Sequence, residues 1–146
     1  MLRKLRRLSK LSPSELLVFS QLLLFAVGAH LALRFLALPR ISAFIAWGAN
    51  QRLLRWLPLL QNNYDIEQLT PLADLAARAT RPDGPCLLRS LLLFWLLKTR
   101  GEPAELLIGV RKEGTVLSSH AWVKSHGKIV ADTVTMTGGF ATLLRF

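Results

Sequence analysis

The sequence is poor in cysteine, histidine and acid: one Cys, three His and nine Asp/Glu among 146 residues. One cysteine excludes an internal disulfide, and three histidines beside it leave no C-x-x-C or comparable zinc spacing, so no metal is expected. Ser90, Ser118 and Ser119 stand outside any G-x-S-x-G setting, which argues against a serine hydrolase. Acid is scarcest at the front. Residues 1–64 hold nine Lys/Arg against Glu15 alone, a balance of +8, whereas residues 65–146 hold ten against eight, a balance of +2. The basic excess is therefore N-terminal and suits nucleic acid, an anionic membrane surface or an acidic partner. The cluster RKLRRLSK has no interleaved aromatic residue, and the chain has no finger, RRM or KH signature, so nucleic acid is not expected.

Apolar residues are abundant, at 51%. LSPSELLVFSQLLLF opens with a capping box in which Ser12 serves the Glu15 amide, Glu15 reaches back, and Pro13 takes the first helical position. Leu16 to Leu33 are 18 uncharged residues, the lower edge of what a membrane span needs, about 20. Ser20, Gln21, Gly28 and His30 interrupt them and Arg34 follows. A signal peptide's apolar region is shorter, about 7 to 15 residues, and no small-residue cleavage site follows here. The favoured expectation is a long helix of a soluble, cytoplasmic protein, all but buried by a second helix and a partner protein. Membrane-surface contact through this region stays open, and spanning is least favoured.

Beyond Pro39, Ile41, Phe44, Ile45, Leu53, Leu54 and Leu57 fall at helical spacing until Pro58. LLQNNYD reads as a loop and as the boundary between a basic, hydrophobic helical region, 1–60, and a domain, 61–146. In LTPLADLAARA, Thr70 reads as a cap and Pro71 as the first helical residue, with Leu72, Leu75, Ala76 and Ala79 on one face.

The lone Cys86 follows Gly84 and Pro85 and opens a helix, CLLRSLLLFWLLKTR, that closes at Gly101. In a first turn, free backbone amides and the positive end of the helix dipole favour a thiolate. A small buried core thiol would fit the same position. The helix is apolar on nearly every side and should cross the middle of the domain. PAELLIGVRK reads as a strand and KEGTVLSS as a polar loop. In SHAWVKSHGKIVADT, a three-residue turn Ser125–Gly127 would pair His120 with Asp132 and give one apolar face of Ala121, Val123, Ile129 and Ala131. A two-residue turn would put His120 and Asp132 on opposite faces. The apolar pattern favours the first register. Cys86, His120 and Asp132 are thus candidates for nucleophile, base and orienter; a polar cross-strand pair with Cys86 elsewhere is the alternative. His126, at the turn tip, and Asp83, a possible helix cap, have structural roles.

The blocks CLLRSLLLFWLLKTRGEPAELLIGVRK, HAWVKSHGKIVAD and FATLLRF resemble, over roughly residues 65–146, the protease part of the lasso-peptide biosynthesis B proteins, a branch of the transglutaminase-like cysteine proteases. A weaker likeness extends into the Leu-rich front. The resemblance implies an α+β fold: a transglutaminase/papain-like core, its central Cys-bearing helix packed on a small antiparallel sheet, with a helical N-terminal extension. It implies Cys86 as nucleophile, His120 as base and then acid, and Asp132 as orienter, with no metal or organic cofactor. It also implies removal of the leader peptide at the leader-core junction of a ribosomally made precursor. The partners would be a separate leader-peptide-binding protein and an ATP-dependent lasso cyclase. A transglutaminase-like acyltransferase and a noncatalytic binding or membrane-docking subunit are the alternatives. Where related sequences often carry an acid after His-Ala-Trp-Val, this chain has Lys124, a change expected at the surface and not in the chemistry.

Overall fold

The computed structural model describes residues 11–51 and 56–146. Helix α1 (Pro13–Phe35) starts at the expected capping box. The Ser12 hydroxyl accepts from the Glu15 amide at 3.2 Å, and the Glu15 carboxylate accepts from the Ser12 amide at 2.7 Å. The Ser12 backbone N–H, chiefly, holds the Glu15 carboxyl below its ordinary 4.5. Val18, Phe19, Leu22, Ala26 and Ala29 recur every three or four residues and form the buried stripe. Helix α2 (Leu38–Asn50) has Pro39 in its first turn. It buries Ile41 and Ile45 but exposes Phe44; Leu53 and Leu54, expected to continue it, lie outside the described residues. A short 3₁₀ turn, Gln61–Asn63, interrupts the expected loop.

Helix α3 (Ile66–Thr80) begins earlier than the Thr70–Pro71 pair suggested. Asp65 and Gln68 form its capping box, so Pro71 lies inside the helix and Thr70 Oγ1 donates to the Ile66 carbonyl. Proline there removes one backbone hydrogen bond. Burial of Leu69, Leu72, Ala73, Ala76 and Ala77 on one face offsets that loss, whereas Ala79 is exposed. Helix α4 (Cys86–Thr99) is the central element, with Leu88, Leu91, Leu92, Leu93, Phe94, Leu96 and Leu97 all buried. It ends as expected at Gly101, whose φ of 76° lets the Glu102 amide return to the Leu97 carbonyl at 3.0 Å. Helices α1, α2 and α3 all pack against it.

Strands β1 (Ala104–Glu113), β2 (Val116–Ser125), β3 (Lys128–Val130) and β4 (Ala141–Arg145) form one antiparallel sheet in the order β3-β2-β1-β4. The architecture is α+β: helices packed on a small antiparallel sheet, with a further helix before them. Strand β2 begins at Val116, so KEGTVLSS is no open loop but two strand ends joined by a tight turn at Gly114. Leu106 and Val123 point from the sheet into the core around α4. The short helix α5 (Val134–Thr137) joins β3 to β4.

Candidate active site

The turn between β2 and β3 contains two residues, not three. His126 and Gly127 have φ of 48° and 75°, the pair of positive values that a type I′ hairpin turn requires. The register is therefore Ser125 with Lys128, Lys124 with Ile129 and Val123 with Val130, one position from that expected. Apolar alternation misled because both faces of β2 are covered here: Ala121, Trp122 and Val123 are all buried. Trp122 lies across Gly109 of β1, where an added Cβ would stand 2.8 Å from its ring and 2.9 Å from the Ala141 carbonyl oxygen. Ala131, expected on the core face, is exposed.

Continued as a regular strand, this register would set Asp132 opposite Ala121, on the wrong face for His120. The strand does not continue. Ala131 takes φ 63°, in the left-handed region, and the chain turns. His120 Nε2 and Asp132 Oδ2 consequently lie 3.2 Å apart. The contact expected from a paired strand is made instead by one backbone residue that breaks it. Ala131→Gly should leave stability unchanged or raised. Ala131→Val should lower it by about 1–2 kcal/mol, read from denaturant unfolding; equal stability of all three proteins would show that the turn carries no strain.

Arg89, which the sequence reading passed over, completes the arrangement. Its Nη2 donates to Asp132 Oδ2 at 2.7 Å, and the Asp132 side chain is only 2% exposed. One carboxylate oxygen thus takes both Arg89 and His120. Arg89 lies three residues after Cys86 on α4, and Ser90, four after it, donates its hydroxyl to the Ala121 carbonyl at 2.9 Å. Residues three and four apart share a helix face. Cys86 therefore stands one turn N-terminal to the two side chains that join α4 to Asp132 and to the neighbour of His120. It is half-buried, and no hydrogen bond joins it to His120 among the described residues.

With Nε2 facing Asp132, the consistent neutral tautomer carries its proton there and keeps a lone pair at Nδ1. Nδ1 is then the atom available to a thiol. Trp122 and Phe140 flank the imidazole, at ring-centroid distances of 6.1 and 5.5 Å. Phe140 is itself held under the Arg111 guanidinium, 4.7 Å from its ring centroid. A bulge in the β1–β4 pairing at Ile108/Gly109 lies beside this group, since Gly109 is the β1 partner of His120. Asp83 does not cap α4: Pro85 is the cap residue, and the Asp83 carbonyl accepts from Arg81. His126 is exposed at the hairpin turn. Lys124 pairs with Glu105 and Ile129, four residues along β2 from His120. Among the described residues no three His, Cys, Asp or Glu side chains gather as a metal site would.

Residues 25–145 match the family model of the transglutaminase-like superfamily, a span that begins inside α1 and includes every site residue named above. No curated protein and no solved structure matches the chain significantly.

Proposed function

Because this chain belongs to the transglutaminase-like superfamily, we propose that it is a cysteine endopeptidase that removes the leader peptide from a lasso-peptide precursor. The observation that carries the reading is the shared Asp132 oxygen: it holds the His120 imidazole by Nε2 while Arg89 ties it to the helix that begins with Cys86. The lasso assignment itself rests on the ordered blocks around Cys86, His120 and Phe140 described above.

In this mechanism His120 Nδ1 takes the Cys86 proton, and the thiolate attacks the carbonyl at the leader-core junction. The Cys86 backbone N–H, in the first turn of α4 where amides lack an intrahelical partner, is a donor for the developing oxyanion. The C–N bond breaks as protonated His120 gives its proton to the leaving amine, which departs as the N-terminus of the core peptide. Water then attacks the thioester with His120 again as base, releasing the leader carboxylate and restoring the thiol. Asp132 orients the imidazole and offsets its positive charge throughout. Leader recognition falls to a separate binding protein, and ATP is used by the cyclase that closes the ring.

Mass spectrometry of the cognate precursor, incubated with the chain and the leader-binding protein, tests this. Two fragments whose masses sum to the precursor plus one water are expected. A crosslinked product that has lost ammonia would replace hydrolysis by acyl transfer to an amine. Unchanged precursor held in a stable complex would replace it by a binding role.

A further inference from the structure

Helix α1 is apolar on the face it turns outward as well as on the face it buries. Leu17, Leu24, Val27, Leu31 and Phe35, spaced seven, three, four and four residues apart, share one face and are all exposed, Leu24 at 74% and Phe35 at 84%. The long helix expected to be almost wholly covered thus has only one side packed by α3 and α4. Two tryptophans are exposed as well, Trp47 of α2 at 56% and Trp56, which shares a groove with Leu17, at 76%. Leu17, Trp56, Leu59 and Leu60 line a groove of about 850 Å³ with Thr99 and Arg100. Trp47 lines a second with Lys98 and Gly101. Both grooves lie at the C-terminal end of α4, a helix length of about 20 Å from Cys86.

We propose that this surface docks on an anionic phospholipid bilayer, with α1 lying in the plane of the interface. Charge selects the occupant. Arg3, Lys4, Arg6, Arg7 and Lys10 immediately precede α1, Arg34 and Arg40 are exposed where α1 gives way to α2, and Glu15 is the only acid in residues 1–64. An apolar helix face joined to a polybasic segment supplies the two signals that stable attachment to anionic lipid requires. Tryptophan at the rim suits the headgroup layer. By length and hydropathy α1 could cross a membrane. Its packing favours lying in the plane over crossing, because Val18, Leu22 and Ala26 are buried on the side packed by α3 and α4, and α3 carries Glu67, Asp74 and Arg78, which a span would have to draw into the bilayer with it. The catalytic end of α4 would face away from the bilayer, open to precursor and its binding protein.

Flotation of the full chain with lipid vesicles is the test. Vesicles of phosphatidylcholine containing phosphatidylserine should retain at least about tenfold more protein than phosphatidylcholine alone, and added salt should release it. Leu24→Ser/Phe35→Ser removes mainly exposed apolar surface and should lower retention about tenfold while the thermal unfolding curve stays in place. In the wild-type chain, bromine-labelled phosphatidylcholine in the anionic vesicles should quench tryptophan emission, which needs no variant. The proposal is overturned if folded wild-type protein ignores both vesicles, if the double variant binds as wild type, or if no quenching occurs. A complex with the leader-binding protein that the double variant breaks, without vesicle retention, would make the occupant a protein instead.

Discussion

Cys86→Ala should abolish precursor cleavage, with turnover at least about 10³-fold below wild type, because Ser90, the other hydroxyl or thiol on this face of α4, is buried and commits its hydroxyl to the Ala121 carbonyl. The Arg89–Asp132–His120 connection does not involve the sulfur and should persist, so binding of precursor should survive the loss of chemistry. Stability should change little: the thiol is half-buried, makes no hydrogen bond among the described residues, and lies at the end of α4, outside the apolar cluster. Cys86→Ser should be nearly as inactive, since a hydroxyl is ionised far less readily than a thiol. Single-turnover assays followed by mass spectrometry separate binding from cleavage. A Cys86→Ala protein within tenfold of wild type would remove the peptidase mechanism.

Much of this site could be read from residue order, and the part that could not has identifiable physical causes. The capping box at Ser12 and Glu15, the glycine stop at Gly101 and the continuous apolar run after Cys86 are local signals, and each produced the expected helix end or core helix. The β2–β3 register was not local. Period-two patterning identifies a buried face only when the other face is wet, and Trp122 is buried on the second face against Gly109, near Phe140. Ala131 carries no residue-type signal for a left-handed conformation, unlike Gly127 four positions earlier, so the turn that returns Asp132 to His120 was invisible. Arg89 did leave a trace. A guanidinium three residues into an otherwise buried helix calls for an acceptor, and Asp132, the only acid between the β2–β3 turn and the end of the chain, is a candidate for it. Phe140 opens the closing block FATLLRF, and its contact with His120 becomes evident only once β4 is paired with β1.

Asp132→Ala should combine a large loss of activity with a large loss of stability, which distinguishes it from Cys86→Ala. The carboxylate is 2% exposed and the Arg89 side chain 16%, so removing the anion leaves a largely desolvated guanidinium whose Nε already has no hydrogen-bond partner. Breaking a buried ion pair on one side costs about 3–5 kcal/mol, and denaturant unfolding should show a shift of that size. Activity should fall at least about 100-fold, because His120 Nε2 loses the acceptor that fixes its tautomer and orientation. Asp132→Asn keeps the shape and one acceptor oxygen but not the charge, so Arg89 and His120 must compete for a weaker partner. It should sit between wild type and Asp132→Ala in both measurements. Removing Arg89 as well, in Arg89→Met/Asp132→Ala, takes away the stranded cation and should restore part of the stability but none of the activity. Recovery of activity in that double variant would show that Asp132 serves only to neutralise Arg89 and that His120 needs no orienter.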